Sequence, residues 1–159
     1  MIDVGGSNVK LLLSGEEIPR KFESGPKLTA APMVKKAKEI AADWKYEAVS
    51  IGYPGPVLHN RPIIDPCDLG KGWVGSPFRN ALACSVKIMN AAAMQALGSH
   101  RKGKMLFLGL GTGLGTALVV EVEPSNPWNS ATCPTKRAPT KTMSANAAWR
   151  SMFAMSWRK

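Results

Sequence analysis

The sequence predicts an α/β lobe, on three observations. Short apolar runs of strand length are followed by helix-length stretches, and two Gly-rich segments, Gly5-Gly6-Ser7 and Gly109–Gly115, each sit between strand-like runs. The apolar run Ala48–Tyr53 then stops at Pro54-Gly55-Pro56, a loop that cannot continue a sheet. Strands followed by helices bury their apolar faces as a sheet with helices packed on it.

Taken in order, Ile2-Asp3-Val4 reads as the end of a buried strand, Gly5–Ser7 as a turn and Val9–Leu13 as the returning strand of a hairpin. A third strand is expected over Glu16–Phe22. Thr29 fits a helix cap before Ala30-Ala31-Pro32, with Met33, Ala37, Ile40 and Ala41 on one face. Ala48–Tyr53 is a buried strand, Phe78–Ala83 a short helix, Ser85–Met89 a strand, and Ala91–Leu97 a helix ended by Gly98. Met105–Leu110 is a strand that returns as Thr116–Val120 after the Gly/Thr loop.

Composition narrows the class. A chain of 159 residues has room for one ordinary domain or one lobe of a larger enzyme, and 45% apolar residues are enough for a packed core. The most apolar stretch, Met105–Val120, is interrupted by four glycines and two threonines, so no bilayer span is expected. With no basic-then-apolar leader ahead of the first strand, the expectation is a soluble, cytoplasmic protein. Cys67, Cys84 and Cys133 are far apart with no nearby His pair, which fits reduced thiols and assigns no metal site. The net charge of +10 invites a polyanion, but half of the excess lies in residues 123–159, which argues against nucleic acid as a partner.

That last segment has an unusual texture. From Glu123 to Lys159 there is no Leu, Ile, Val or Gly, yet it holds three of the five tryptophans, Trp128, Trp149 and Trp157. Neither a natural disordered tail nor a domain with a core fits that content. A shifted reading frame does. Permitted codons for Pro127–Arg137, read from the third base, give Met-Glu-Leu-Gly-His-Leu-Pro-Tyr-Lys-Lys, and the frame continues to Lys159 without a stop. The expected slip lies near Glu121.

Two segments carry the chemistry. In DVGGSNVK, Asp3–Lys10, Gly5 and Gly6 let the backbone turn tightly, and their N–H groups with the side chains of Ser7 and Asn8 can line an anion site. Asp3 could hold a metal-bound water, and Lys10 could offset phosphate charge. In GLGTGLGTA, Gly109–Ala117, the groups of Gly111, Thr112, Gly113 and Gly115 can face phosphate oxygens. The second segment lacks the GKS/T ending of a Walker loop and the glycine-to-helix step of a Rossmann turn. Taken alone, each segment also reads as a plain glycine hairpin.

With SIGYPGPV (Ser50–Val57), DLGKGWVG (Asp68–Gly75) and IMNAAAMQALGS (Ile88–Ser99), the two glycine segments resemble the ROK sugar kinases, motif by motif and in order. The resemblance covers roughly residues 1–120 and is closest to glucokinase and polyphosphate-glucokinase-like members. It implies the actin-like, ribonuclease-H-like fold. Residues 1–105 would be the N-terminal lobe, 106–122 the first hairpin of a truncated second lobe, and 123–159 an aberrant, disordered tail. It implies ATP with Mg2+, or polyphosphate, as phosphoryl donor on the Asp3–Lys10 and Gly111–Gly115 loops. Pro54, Gly55 and the stretch around Trp73 would border the sugar, and Asn90 would hydrogen-bond a sugar hydroxyl. For Trp73 an equally good reading is an aromatic packing under the sheet. The partners are a sugar and a phosphoryl donor, with no membrane and a homodimer left open.

The pattern also breaks. The family has an acid after the asparagine, the general base for the sugar hydroxyl, and here that position is Ala91. Asp68 stands where the family commonly has Asn. The distal Glu-x-Gly-His motif appears only in the shifted frame, and the family's Cys-rich zinc motif appears in neither. The first strand is shorter than usual, as if a start lay upstream. The expectation is a hexose kinase by ancestry, truncated and inactive. The alternative is a non-catalytic phosphate- or sugar-binding protein, with a basic polyanion binder third. Without a repressor's helix-turn-helix ahead of the first strand, transcriptional regulation is not the expectation.

Overall fold

In the computed structural model, which describes residues 1–111 and 113–120, the chain first builds a three-stranded meander. Its strands are β1 (Ile2–Val4), β2 (Asn8–Leu11) and β3 (Arg20–Glu23). Helix α1 (Ala30–Ile40) leads to β4 (Ala48–Tyr53), then a small hairpin of β5 (Val57–Leu58) and β6 (Arg61–Pro62). Helix α2 (Phe78–Leu82), β7 (Ser85–Asn90), α3 (Ala91–Ser99) and the hairpin β8 (Met105–Leu110) and β9 (Leu114–Val119) complete it. Thr112 and the expectations for residues 121–159 lie outside the described residues.

The main sheet has the order β3-β2-β1-β4-β7. β1, β2 and β3 pair antiparallel, whereas β4 runs parallel to both β1 and β7. Strand alternation sorts the side chains onto two faces. Ile2, Val4, Val9, Leu11, Ile51 and Tyr53 join Met33, Val34 and Ala37 of α1 and Phe78 and Leu82 of α2 in one core. Each fully buried Val, Leu, Ile, Met or Phe among them is worth about 1.5–3 kcal/mol. The opposite face carries Asp3 and Gly52, and α3 lies there. A Cβ on Gly52 would meet the Met94 methyl at 2.3 Å and Asp3 Oδ1 at 3.2 Å, so only glycine allows that approach.

The sequence reading needs correcting at several elements. The returning strand β2 covers Asn8–Leu11 rather than Val9–Leu13. The third strand covers only Arg20–Glu23, because Glu16 and Glu17 lie in the exposed turn before it. Helix α1 turns Ala30 and Val34 inward together with Met33 and Ala37, Ile40 is only partly buried, and the Thr29 side chain makes no capping bond. Gly98 does not end α3: it is buried inside the helix, which runs to Ser99 and is closed by His100 N–H donating to Ala96 O at 2.9 Å. The return strand after the Gly/Thr loop begins at Leu114, two residues before the expected start.

The β5–β6 hairpin was not foreseen. Its turn places both His59 (φ 47°) and Asn60 (φ 67°) in the left-handed region, which Asn tolerates better than most residues. Asn60 then staples the hairpin to β7: its Nδ2 donates to Val86 O at 3.0 Å and its Oδ1 accepts from Ile88 N. Replacing Asn60 by alanine removes both bonds and strains the turn. The expected loss is about 1–3 kcal/mol in denaturant unfolding, and Asn60→Gly, which relieves the strain but not the lost bonds, should lose less.

Candidate functional site

Three parallel strands end together at one edge of the sheet. The register aligns Ile2 with Ile51 and Ile51 with Ile88, so β1, β4 and β7 stop at Val4, Tyr53 and Asn90 in one row. Open α/β sheets bind ligands beyond such carboxyl ends. Here a cleft of about 860 Å³ opens there. Its floor is the β1–β2 turn, Pro54 and Gly55, the first turn of α3, and the β8–β9 hairpin.

Each wall has a local cause. The β1–β2 turn closes by Gly5 N–H donating to Asn8 O at 3.0 Å, and a Cβ on Gly5 would come within 2.8 Å of that oxygen. Ser24 buttresses the turn from β3: its Oγ donates to Gly5 O at 2.7 Å and its N–H to Ser7 O at 3.0 Å. The β8–β9 turn closes by Gly111 N–H donating to Gly113 O at 3.1 Å. The N–H groups expected from Gly5 and Gly111 are therefore engaged in turn closure, which leaves the turn tips, Gly6, Ser7 and Gly113, to face a ligand. The hairpin reaches the cleft because Gly115 is small, its Cβ position being 3.0 Å from the Ala92 methyl.

Asp3 and Lys10 sit opposite each other on β1 and β2, and both line the cleft. Burial pushes the Asp3 carboxyl above its ordinary value, and the Lys10 charge pulls it partly back. Asn90 lines the cleft but its amide already serves the fold. Its Oδ1 accepts from Ala93 N at 3.2 Å as the cap of α3, and its Nδ2 donates to Gly55 O at 2.9 Å. That pair of bonds ties the Pro54-Gly55 loop to the start of the helix. Ala91, the first residue of α3, follows directly and faces the cleft with a methyl group.

Trp73 takes the second of the two readings its sequence context offers, an aromatic packed inside the protein. Its ring is fully buried, 5.8 Å from Tyr53 and 6.3 Å from Phe78 between ring centres, and it does not line the cleft. What reaches the cleft from that loop is Asp68. The loop is organised by Asp65, whose carboxylate accepts three backbone N–H bonds, from Gly72 (3.1 Å), Trp73 (2.8 Å) and Val74 (3.2 Å). Those bonds hold the Asp65 carboxyl below the usual range. Asp65 and Ser24 were missed as positioning residues. Only the Gly-rich run after Asp65 hints at the first, and nothing in sequence hints at the second.

No protein-family model matches the chain, and no curated protein matches it. Solved structures do. With a ROK family glucokinase from Streptomyces griseus, in complex with glucose and AMPPNP, it shares 22% identity over 75% of this chain and 43% of that one, at a TM-score of 0.61. An inorganic polyphosphate/ATP-glucomannokinase from Arthrobacter sp. strain KM matches at 22% identity and TM-score 0.59, over 76% and 57% of the two chains. A ROK hexokinase from Thermus thermophilus matches at 24% and 0.56, over 75% and 45%. The chain thus spans about half the length of these structures. It has the mixed α/β fold of that part of a ROK sugar kinase. Among the described residues no helix is long and apolar enough to cross a membrane.

Two outcomes follow from the titrating groups. Because the Asp3 pKa is raised on folding, the folded chain is penalised once Asp3 ionises. That penalty is absent below the ordinary carboxylate range and complete above the raised value. Asp3→Asn should therefore raise Tm near neutral pH, with the gain over wild type shrinking as pH falls through that window. Asp65 works in the opposite sense. Its stabilisation is present above the ordinary carboxylate value and fades as pH falls through the lowered one, so the Trp73 and Val74 amides should lose hydrogen-exchange protection in acid, and at neutral pH in Asp65→Ala.

Proposed function

We propose that the chain is the nucleotide-binding part of a ROK-type hexose kinase that binds its ligands but does not turn them over. One observation carries the reading: two separate glycine turns, a half-buried cross-strand Asp–Lys pair and a helix N-terminus converge on one cleft at the ends of three parallel strands. The sheet order, with a three-stranded antiparallel meander followed by two parallel strands, supports the actin-like, ribonuclease-H-like assignment.

Gly6, Ser7, Asn8 and Lys10 on one side and Gly111 to Gly115 on the other would cradle the phosphates of ATP or of polyphosphate. Backbone N–H groups and a helix N-terminus suit such anions. The residues fit Mg2+ in the way it is usually held, by one or two carboxylates and the substrate's own phosphates, with Asp3 as the protein's contribution. Bound there, the ion would neutralise charge on the transferring phosphoryl group. Pro54, Gly55, Asn90 and Asp68 would border glucose or a similar sugar on the opposite wall.

Transfer needs the sugar oxygen to attack the terminal phosphorus while its proton leaves and the bond to the departing phosphate breaks. The proton has no acceptor at Ala91. Asp65 and Asp68, the acids the sequence offers in its place, stand on a separate loop, and the Asp65 carboxylate is already occupied by three N–H groups. Loss of such a base costs about two to four orders of magnitude in rate, while positioning and phosphate electrostatics persist. A non-catalytic sugar- or phosphate-binding protein is the second reading, favoured by a cleft that is formed although the acid is missing.

Calorimetry with ATP, polyphosphate and glucose tests binding, and coupled detection of glucose 6-phosphate tests turnover. Micromolar binding without turnover is expected of the chain as it stands. Ala91→Asp alone should remain inactive, and the same substitution in a chain whose residues after Glu121 follow the shifted frame should phosphorylate glucose. A doubly altered protein that binds no sugar would sink the kinase reading. Robust turnover by the unaltered chain would overturn the claim of inactivity.

A further inference from the structure

We infer that Asp68 makes the sugar wall of the cleft selective for a hexosamine, its carboxylate pairing with the ammonium group such a sugar carries. The inference rests on the sugar-kinase reading above and narrows its substrate class.

Asp68 is braced from both sides. Ahead of it, Pro66 is buried, and the Asp65 carboxylate gathers the N–H groups of Gly72, Trp73 and Val74. After it, Leu69 is buried and Gly70 N–H donates to Leu28 O at 2.9 Å. A Cβ on Gly70 would come within 2.8 Å of the Thr29 methyl, so the loop lies tight against the start of α1. Asp68 itself stays exposed at the cleft, and among the described residues its carboxylate has no hydrogen bond or ion pair. The fold makes no use of this charge.

The cleft gives the charge a meaning. Among the described residues its ionisable side chains are Asp3, Lys10 and Asp68. Asp3 and Lys10 stand opposite each other on β1 and β2 and offset one another. Lys71, close in sequence to Asp68, acts on Asp65 and does not line the cleft. Asp68 therefore adds a negative charge to a cleft read as holding phosphates, and like charges held close together repel. A neutral sugar hydroxyl can donate to the carboxylate but leaves the charge in place. An ammonium cancels it, through a charge-assisted bond about twice as strong as a neutral one. The other cation to weigh is a metal ion. No group of three His, Cys, Asp or Glu side chains that could hold one occurs among the described residues.

Calorimetry of the full chain with glucosamine, glucose and N-acetylglucosamine tests this, at about pH 6 where an amine is protonated, with neither nucleotide nor Mg2+ present. Glucosamine should bind at least about 10-fold tighter than glucose, and N-acetylglucosamine, whose nitrogen is an uncharged amide, should gain nothing. Asp68→Asn, which keeps the shape and removes the charge, should erase the preference, whereas Asp68→Glu should retain one. Glu17→Gln, which removes a charge from the exposed turn before β3, should leave the ratio of the two affinities as it is. Glucose bound as tightly as glucosamine overturns this inference and leaves the kinase reading standing. A preference that survives Asp68→Asn overturns the assignment to Asp68. No sugar bound in any arm overturns both.

Discussion

The parallel register of β1, β4 and β7 is the constraint on which the rest of the molecule depends. One row of isoleucines, Ile2, Ile51 and Ile88, fixes which residues of each strand point to the α1 core and which to the cleft. Side chains alternate with a period of two, so slipping β1 by one residue would bury Asp3 among α1 and α2 and push Val4 into the ligand cleft. Burying an unpaired carboxylate costs far more than any single apolar contact restores. The apolar pattern of the core therefore decides the geometry of the site, and the site residues need only occupy the strand ends it leaves them.

Much of this was legible because it is local. The limits of β4 and β8 follow from apolar runs bounded by Pro and Gly, and the two glycine turns stand between runs that pair as hairpins. What sequence could not reveal depends on distant partners. Ser24 looks like an ordinary loop serine until β3 brings it against the Gly5 carbonyl. Gly98 looks like a helix stop, because glycine is common there, but its place against the interior keeps the helix running to Ser99. The left-handed turn at His59-Asn60 has no glycine to announce it. It is held by a bond from Asn60 to a strand more than twenty residues away.

Trp73 and Asn90 show the same limit at the site. From sequence, Trp73 reads equally well as bordering a sugar or as packing under the sheet. The structure places its ring inside, against Tyr53 and Phe78, where it anchors the loop whose far side presents Asp68. Asn90 has one side chain and two structural bonds, to Ala93 N and Gly55 O. An amide so engaged holds the wall of the cleft in place. Its remaining donor and acceptor capacity is what a ligand could still use.

The Ala91 position gains meaning from this arrangement. It is the first residue of a helix whose cap, Asn90, is intact and whose next turn packs on Gly115 and Gly52 through Ala92 and Met94. Exchanging an acid for alanine here removes a charge from the rim of the cleft while disturbing neither the cap nor the packing below it. Alanine is also the best helix former and leaves no buried polar group to satisfy. Folding and the chemistry of the cleft rim are thus physically separable in this lobe: the strands and helix that shape the cleft are indifferent to which side chain stands at position 91. A chain of this kind can lose catalysis without losing its fold, and the architecture by itself is no evidence of activity.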